Sequence, residues 1–305
     1  MTQQQMAAAA SPGPCLVLGG KTGMLGQALM TALAKAGHTA VAQGREDVDL
    51  TSRDALTAYL EAVKPGVVFN AVAYTQVDKA EDEPDDAARL NKTLPENLAR
   101  LSAAMGFKLV HFSTDFVFDG KGQEPYEVDD PTGPLSVYGR TKLAGEQAIR
   151  SVNPPGWIIC RTAWLFGPGR KNFITTILNL CRSRDTVNVV DDQIGSPTYT
   201  VDLALHAVQL LDAGASGLFH VVNAGEASWC ELATEAVRLT GLPCKISPIP
   251  TSGYPTKAAR PAWSVLSTAA FTAATGVTPR PWAKALRDYI FKDLQDFLEP
   301  QASRN

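Results

Sequence analysis

The chain has 305 residues, 45% of them apolar and 19% charged, with a net charge of −3, the balance of a globular protein large enough for a full core and a second lobe. An acidic chain with no basic stripe interleaved with aromatics argues against nucleic acid as a partner, although one pocket can still be locally positive for a small anion. No apolar run reaches the roughly 18 residues that span a bilayer, so no membrane partner is expected and the chain reads as cytoplasmic.

Residues 1–14 carry no basic segment ahead of their alanines and read as a disordered leader. Residues 16–18 form a short apolar strand that runs straight into Gly20-Lys21-Thr22-Gly23-Met24-Leu25-Gly26. The helical periodicity of 24–36 follows and ends at Gly37. A strand at 39–42, a helix within 47–63 and a strand at 67–69 come next, then a helix over about 85–105 and a strand at 109–113. A helix over about 138–152 and a strand at 157–161 complete the regular part. This alternation predicts an α/β fold with a Rossmann-type, doubly wound parallel sheet. Beyond Trp164, clusters of Pro and Gly suit a smaller substrate-binding lobe. The expected organisation is a dinucleotide-binding domain over 15–165, an interleaved lobe over 166–295, a strand at 219–223 that returns to the main sheet, and a tail over 296–305.

The glycine turn carries the first functional expectation. Gly20 permits the tight turn, Gly23 lets backbone approach a pyrophosphate, and Gly26 lets helix and strand pack closely, with the helix N-terminus facing the phosphates. Some 20 residues on, Gln43-Gly44-Arg45 takes the place of the carboxylate that holds a free ribose 2′-hydroxyl. Arg45 suits a 2′-phosphate, so NADPH is favoured and NADH is left open.

Tyr138 and Lys142 stand four residues apart at a predicted helix start and share a face. A lysine ammonium beside a phenol lowers the phenol's pKa, and such a tyrosine can protonate a ketone oxygen as hydride arrives. Tyr/Lys pairs at this spacing arise by chance, and the context is what counts. Ser113 and Thr114 end a buried strand some 25 residues earlier, at the edge where ligands of such sheets sit, and either hydroxyl suits a developing oxyanion. The cysteines form no Cys-x-x-Cys pair, and His38, His111, His206 and His220 are scattered. Buried reduced thiols and no metal site are therefore expected.

Together these features resemble the extended short-chain dehydrogenase/reductases, and within them the chain is similar to the dTDP-4-dehydrorhamnose reductase family. The resemblance is carried by GKTGMLGQAL at 20–29, NAVAYTQVDKAEDEP at 70–84, HFSTDFVFDG at 111–120, VYGRTKLAGE at 137–146, RTAWLFG at 161–167, DDQIGSPT at 191–198 and SGYPTKAARPAWSVL at 252–266. It implies NADPH-dependent reduction of a nucleotide-linked 4-keto-6-deoxy sugar. Tyr138 would be the proton donor, Lys142 its partner, and Thr114 the substrate-aligning hydroxyl. It places Thr114, Asp115 and Trp164 against the sugar, with Arg260 near the nucleotide diphosphate. Gly23, Met24, Leu25, Val72, Ala73 and Tyr74 would line the cofactor, with Asp49 and Leu50 near the adenine. Another keto-sugar reductase or epimerase, and a non-catalytic regulatory subunit resembling the methionine adenosyltransferase partner protein, remain as alternatives. Some members form metal-bridged dimers through glutamates, but those positions fall at Ala28 and near Ala283 here. Alanine offers a hard cation no oxygen, so no structural Mg²⁺ is expected, and the expected state is a monomer or weak homodimer.

Overall fold

A computed structural model describes residues 13–298; residues 1–12 of the predicted leader and 299–305 of the predicted tail lie outside the described residues. The opening unit is β1 (Cys15–Leu18) followed by α1 (Met24–Lys35). Leu25, Ala28, Leu29, Ala32 and Leu33 recur at helical spacing on one buried stripe of α1. A Cβ on Gly26 would sit 2.2 Å from the Gly19 carbonyl oxygen, so only glycine allows α1 to lie this close to the turn.

The remaining elements of the first half are β2 (Ala40–Gln43), α2 (Arg53–Val63), β3 (Val67–Asn70), α3 (Val77–Ala80), α4 (Pro84–Ala88), α5 (Leu94–Met105), β4 (Lys108–Thr114), α6 (Val137–Val152) and β5 (Ile158–Thr162). The helix expected within 47–63 is Arg53–Val63. Upstream, Asp47 accepts from the Gly44 N–H at 2.7 Å and Asp49 from the Thr51 N–H at 2.9 Å, local bonds that compete with a helical ladder. The helix over 85–105 is broken by a π-helical turn, Arg89–Thr93. Pro95 has no N–H for the carbonyl of Asn91, and that carbonyl packs so closely on α6 that a Cβ on Gly145 would lie 2.1 Å from it.

The second half contains β6 (Leu165–Phe166), α7 (Phe173–Cys181), β7 (Thr186–Val190), β8 (Ile194–Gly195), β9 (Thr198–Tyr199), α8 (Thr200–Asp212), β10 (Gly217–His220), β11 (Ala227–Ser228), α9 (Trp229–Thr240), β12 (Lys245–Ile249), α10 (Ala269–Thr275), α11 (Trp282–Asp288) and α12 (Gln295–Leu298). The main sheet has six parallel strands in the order β2-β1-β3-β4-β5-β10. The returning strand is Gly217–His220, not 219–223; past it Asn223 turns to accept from the Tyr199 N–H at 2.9 Å and to donate to Asp202 at 2.7 Å.

Alternate strand residues feed two cores. Val17, Phe69 and Val110 pack with α1, α8 and Phe271 of α10 on one face. Leu16, Val68 and Leu109 pack with α2, α5 and α6 on the other. A third core joins α7, α9, α11 and the parallel pair β7–β12 into the smaller lobe. Strand order reverses between β1 and β3, and doubly wound sheets bind ligands at the carboxyl ends beside such a reversal.

Helix α6 is held to the sheet by a buried ion pair. Arg161 on β5 donates to Glu146 through Nε at 3.0 Å and Nη2 at 2.8 Å, and its Nη1 reaches the Val128 carbonyl at 3.2 Å. The two side chains are 2% and 1% exposed. Arg161→Met leaves a carboxylate buried without its cation, and should lower unfolding free energy in urea by roughly 3–5 kcal/mol. A loss below about 1 kcal/mol, the size of a surface pair, would show that water already reaches Glu146.

Candidate active site

The carboxyl ends of β1, β3 and β4 and the first turn of α6 meet around the reversal point. Ser136 starts α6 by accepting from the Gly139 N–H at 3.1 Å, and the Val137 N–H donates to Glu81 at 2.8 Å. Tyr138 and Lys142 then follow one turn apart on the face toward β4. Adjacent strand residues point to opposite sides, and this separates the two candidate hydroxyls. Ser113 donates to Glu146 and so belongs to the buried ion pair. Thr114 donates to Asp115 Oδ1 at 3.0 Å and neighbours the Tyr138 phenol.

Asp115 is 2% exposed, and its second oxygen accepts from Ser264 Oγ at 2.6 Å. Burial raises its pKa to about 6, against the pull of the Ser264 and Thr114 hydroxyls. The Tyr138 ring meets Phe116 edge-on at 5.6 Å. Its phenol is pushed up to about 12, first by burial and further by the Asp115 charge, with the Thr114 hydroxyl working in the opposite direction. The expected lowering by lysine does not occur. Lys142 Nζ donates to the Phe112 carbonyl at 2.6 Å and stands 3.4 Å from His111 Nε2, so its charge is spent on strand β4. Burial lowers Lys142 to about 8 while Glu146 pulls it up, and burial with Lys142 keeps His111 neutral. The arrangement is a desolvated phenol that keeps its proton at neutral pH, beside a hydroxyl and a carboxylate.

Gly20 lies in the turn between β1 and α1, Gly23 is the N-cap of α1, and Met24, Leu25 and Gly26 form its first turn. The α1 N-terminus has no side-chain cap and no acidic residue in its first turn, leaving its N–H groups for an anion. Gln43, whose part the sequence did not announce, braces the turn by accepting from the Gly19 N–H at 3.1 Å. Val72, Ala73 and Tyr74 follow β3 as a half-buried wall, held by Asn91 through the Tyr74 N–H at 2.9 Å. Tyr74 donates to Glu83 at 2.6 Å, a carboxylate that raises the phenol to about 12. At the tip of β2, Arg45 and Asp49 are exposed and Leu50 is buried, with Asp49 engaged by Thr51. That tip is not free of carboxylates, as the sequence reading assumed. Gly44 places Glu46 and Asp47 against Lys21 of the glycine turn, at 2.9 and 2.6 Å.

Trp164 and Arg260 are engaged with partners of their own. Trp164 adopts a left-handed backbone with φ of 46°, unusual for a bulky residue, and stacks on Trp229 with ring centroids 3.5 Å apart. Gly195 makes room for it: a Cβ there would come 2.5 Å from the indole. Arg260 forms a two-pronged pair with Asp78 at 2.8 and 3.1 Å, and the Ala258 N–H adds a bond to the same carboxylate. Lys257 also pairs with Asp82, so the 256–260 loop is fastened to α3 and the turn after it. Among the described residues no group of three or more His, Cys, Asp or Glu side chains is arranged to hold a metal. A hollow of about 550 Å³ lined by Cys181, Arg184, Leu242 and Phe297 lies elsewhere in the small lobe.

The geometry has close counterparts. The sequence profile of the RmlD substrate-binding domain family matches residues 15–295. A dTDP-4-dehydrorhamnose reductase of Mycolicibacterium smegmatis is 41% identical over 90% of this chain and 84% of its own. The Salmonella typhimurium protein of the same name is 37% identical over 84% of this chain and 90% of its own. Among solved structures, a dTDP-4-dehydrorhamnose reductase from Clostridium acetobutylicum superposes with a TM-score of 0.88 at 38% identity, covering 93% of this chain and 99% of that one. One from Bacillus anthracis in complex with NADP has the same TM-score of 0.88 at 30% identity, covering 92% and 99%. A UDP-glucose 4-epimerase of Thermus thermophilus, 20% identical with a TM-score of 0.79, shares the fold. The chain belongs to the RmlD family, that of the dTDP-4-dehydrorhamnose reductases.

Proposed function

We propose that the protein reduces dTDP-4-dehydro-L-rhamnose to dTDP-L-rhamnose with NADPH, Tyr138 supplying the proton to the C4 oxygen. The observation that carries this reading is the cluster of Thr114, Asp115, Tyr138 and Lys142 beside the strand-order reversal, in a chain whose relatives share the activity by name. The dinucleotide fits the residues present, because the α1 N-terminus is uncapped and free of acidic side chains, and Gly23 and Gly26 let the turn close tightly against it. NADPH, when bound, supplies the hydride.

The chain's own residues do the rest. Thr114, whose hydroxyl donates to Asp115 in the structure, would turn that proton to the ketone oxygen when substrate binds. Tyr138, kept protonated by burial, faces an oxygen that becomes far more basic than a phenolate as hydride adds at carbon, so the proton moves downhill. Lys142 fixes the end of β4, next to Thr114, by gripping the Phe112 carbonyl. Arg45 and Lys21 are the cations at the tip of β2, where a 2′-phosphate would lie, and Glu46 and Asp47 are the acids that temper a preference for NADPH over NADH. Arg260, released from Asp78, and Trp164 would meet the nucleotide diphosphate and the sugar.

A specific finding keeps neighbouring substrates in play. A Streptomyces niveus relative named dTDP-4-keto-6-deoxy-D-glucose reductase is 41% identical over 88% of this chain, as similar as the rhamnose enzymes. The test is therefore NADPH oxidation with dTDP-4-dehydrorhamnose beside a panel of other nucleotide keto sugars. Turnover is expected to be fastest on the first, and no turnover on any of them overturns the enzyme reading. Tyr138→Phe should lower kcat by about 10²–10⁴ with NADPH affinity nearly unchanged; a mild loss would place the proton donor elsewhere.

Asp115 adds a pH prediction. Its folded pKa of about 6 lies above the ordinary 3.8, so between those values the unfolded chain releases a proton that the folded one keeps. Its contribution to stability is fully present below pH 3.8 and lost as pH rises through 6. The difference between the two values amounts to roughly 3 kcal/mol. Asp115→Asn should flatten that part of the profile in urea unfolding, and an unchanged slope would mean that other groups set it.

A further inference from the structure

The glycine turn is touched by the small lobe as well as by its own strand. Between β6 and α7, the loop 167–172 returns to the main domain, and Arg170 Nε donates to the Thr22 carbonyl at 2.7 Å. Gly169 lies against the side chain of Gln27, which itself donates to the Lys21 carbonyl at 3.1 Å. The backbone of this loop is fixed from behind. Asn172 caps α7 and binds the Gly167 carbonyl at 2.9 Å, the Arg170 carbonyl at 3.3 Å and the Tyr289 hydroxyl at 2.8 Å.

Charge makes this placement informative. Lys21, the cation inside the turn, is occupied by Glu46 and Asp47. Arg170 forms no ion pair with a carboxylate among the described residues, and only its Nε is used on Thr22. A guanidinium offers five donors in a rigid fork. With Nε anchored, the two terminal amino groups stay beside the turn, the geometry suited to two-pronged contact with phosphate oxygens.

We propose that Arg170 is a ligand of the cofactor's pyrophosphate, supplied across the cleft by the small lobe. The proposal rests on the reading that the glycine turn binds that pyrophosphate, and it adds a side-chain cation to a cradle otherwise made of backbone N–H groups and a helix terminus. The bound dinucleotide then bridges both lobes through its phosphates, away from the reacting carbon.

Titration calorimetry of the whole protein with NADPH, NADH, ADP and adenosine tests it. Arg170→Ala should weaken NADPH, NADH and ADP by a similar factor of about ten, leave adenosine unchanged and keep the NADPH/NADH ratio. Arg170→Lys should recover part of the loss. Unchanged ADP and NADPH binding overturns the proposal, and so does a loss confined to NADPH, which would put Arg170 on the 2′-phosphate. Arg170 is exposed, so the variant is expected to fold as the parent does. Gly23→Ala separates the two readings. If it leaves NADPH affinity intact, the cofactor lies elsewhere and both fall. If it weakens NADPH while Arg170→Ala does not, only the role of Arg170 falls.

Discussion

The active cluster depends on one buried contact, the Arg161–Glu146 pair between β5 and α6. Two charges taken out of water are costly unless every donor and acceptor is matched. Here Glu146 receives Arg161 and Ser113, and Arg161 also reaches the Val128 carbonyl. The pair thereby pins one helix to two strands and a loop at once. Tyr138 and Lys142 lie on the N-terminal side of Glu146 along α6, so their height above β4 follows from where the carboxylate is anchored. A pair of surface charges would give no such constraint, because screening and side-chain entropy would leave α6 free to slide.

Burial, more than any partner charge, sets the chemistry above that anchor. It raises Tyr138 and Asp115 and lowers Lys142 and His111, moving each group toward its neutral form. The result is a cluster with few free charges and fixed donors, where charge is weakly screened. The β2 tip is the opposite environment. Lys21, Glu46 and Asp47 are in contact with solvent, so their pairing is screened and open to exchange.

The parts that sequence made legible are those decided locally. The stripe of α1 and the glycine turn are written in consecutive residues, and so is the spacing of Tyr138 and Lys142. What it left out depends on contacts between distant segments. Helical spacing put Lys142 near Tyr138 but said nothing of its reach to the Phe112 carbonyl, which only the packed sheet supplies. Ser113 and Thr114 looked equivalent until strand alternation and Glu146 divided them. The π turn at Arg89–Thr93 needs the close seat of Gly145, far along the chain. Glu46 and Asp47 were passed over at the β2 tip because only the fold brings them against Lys21, with Asp47 held there by the Gly44 N–H.

The stacked pair Trp164–Trp229 ties three separate stretches together in a way that shapes how this protein can change. Trp164 keeps its left-handed backbone only while Gly195 stays without a side chain, and its ring position follows Trp229 at the start of α9. A change at any one of the three positions strands the other two. Drift at this stacked pair must therefore proceed by joint replacements, and a lineage that alters it would be expected to carry correlated differences in three distant stretches of its chain.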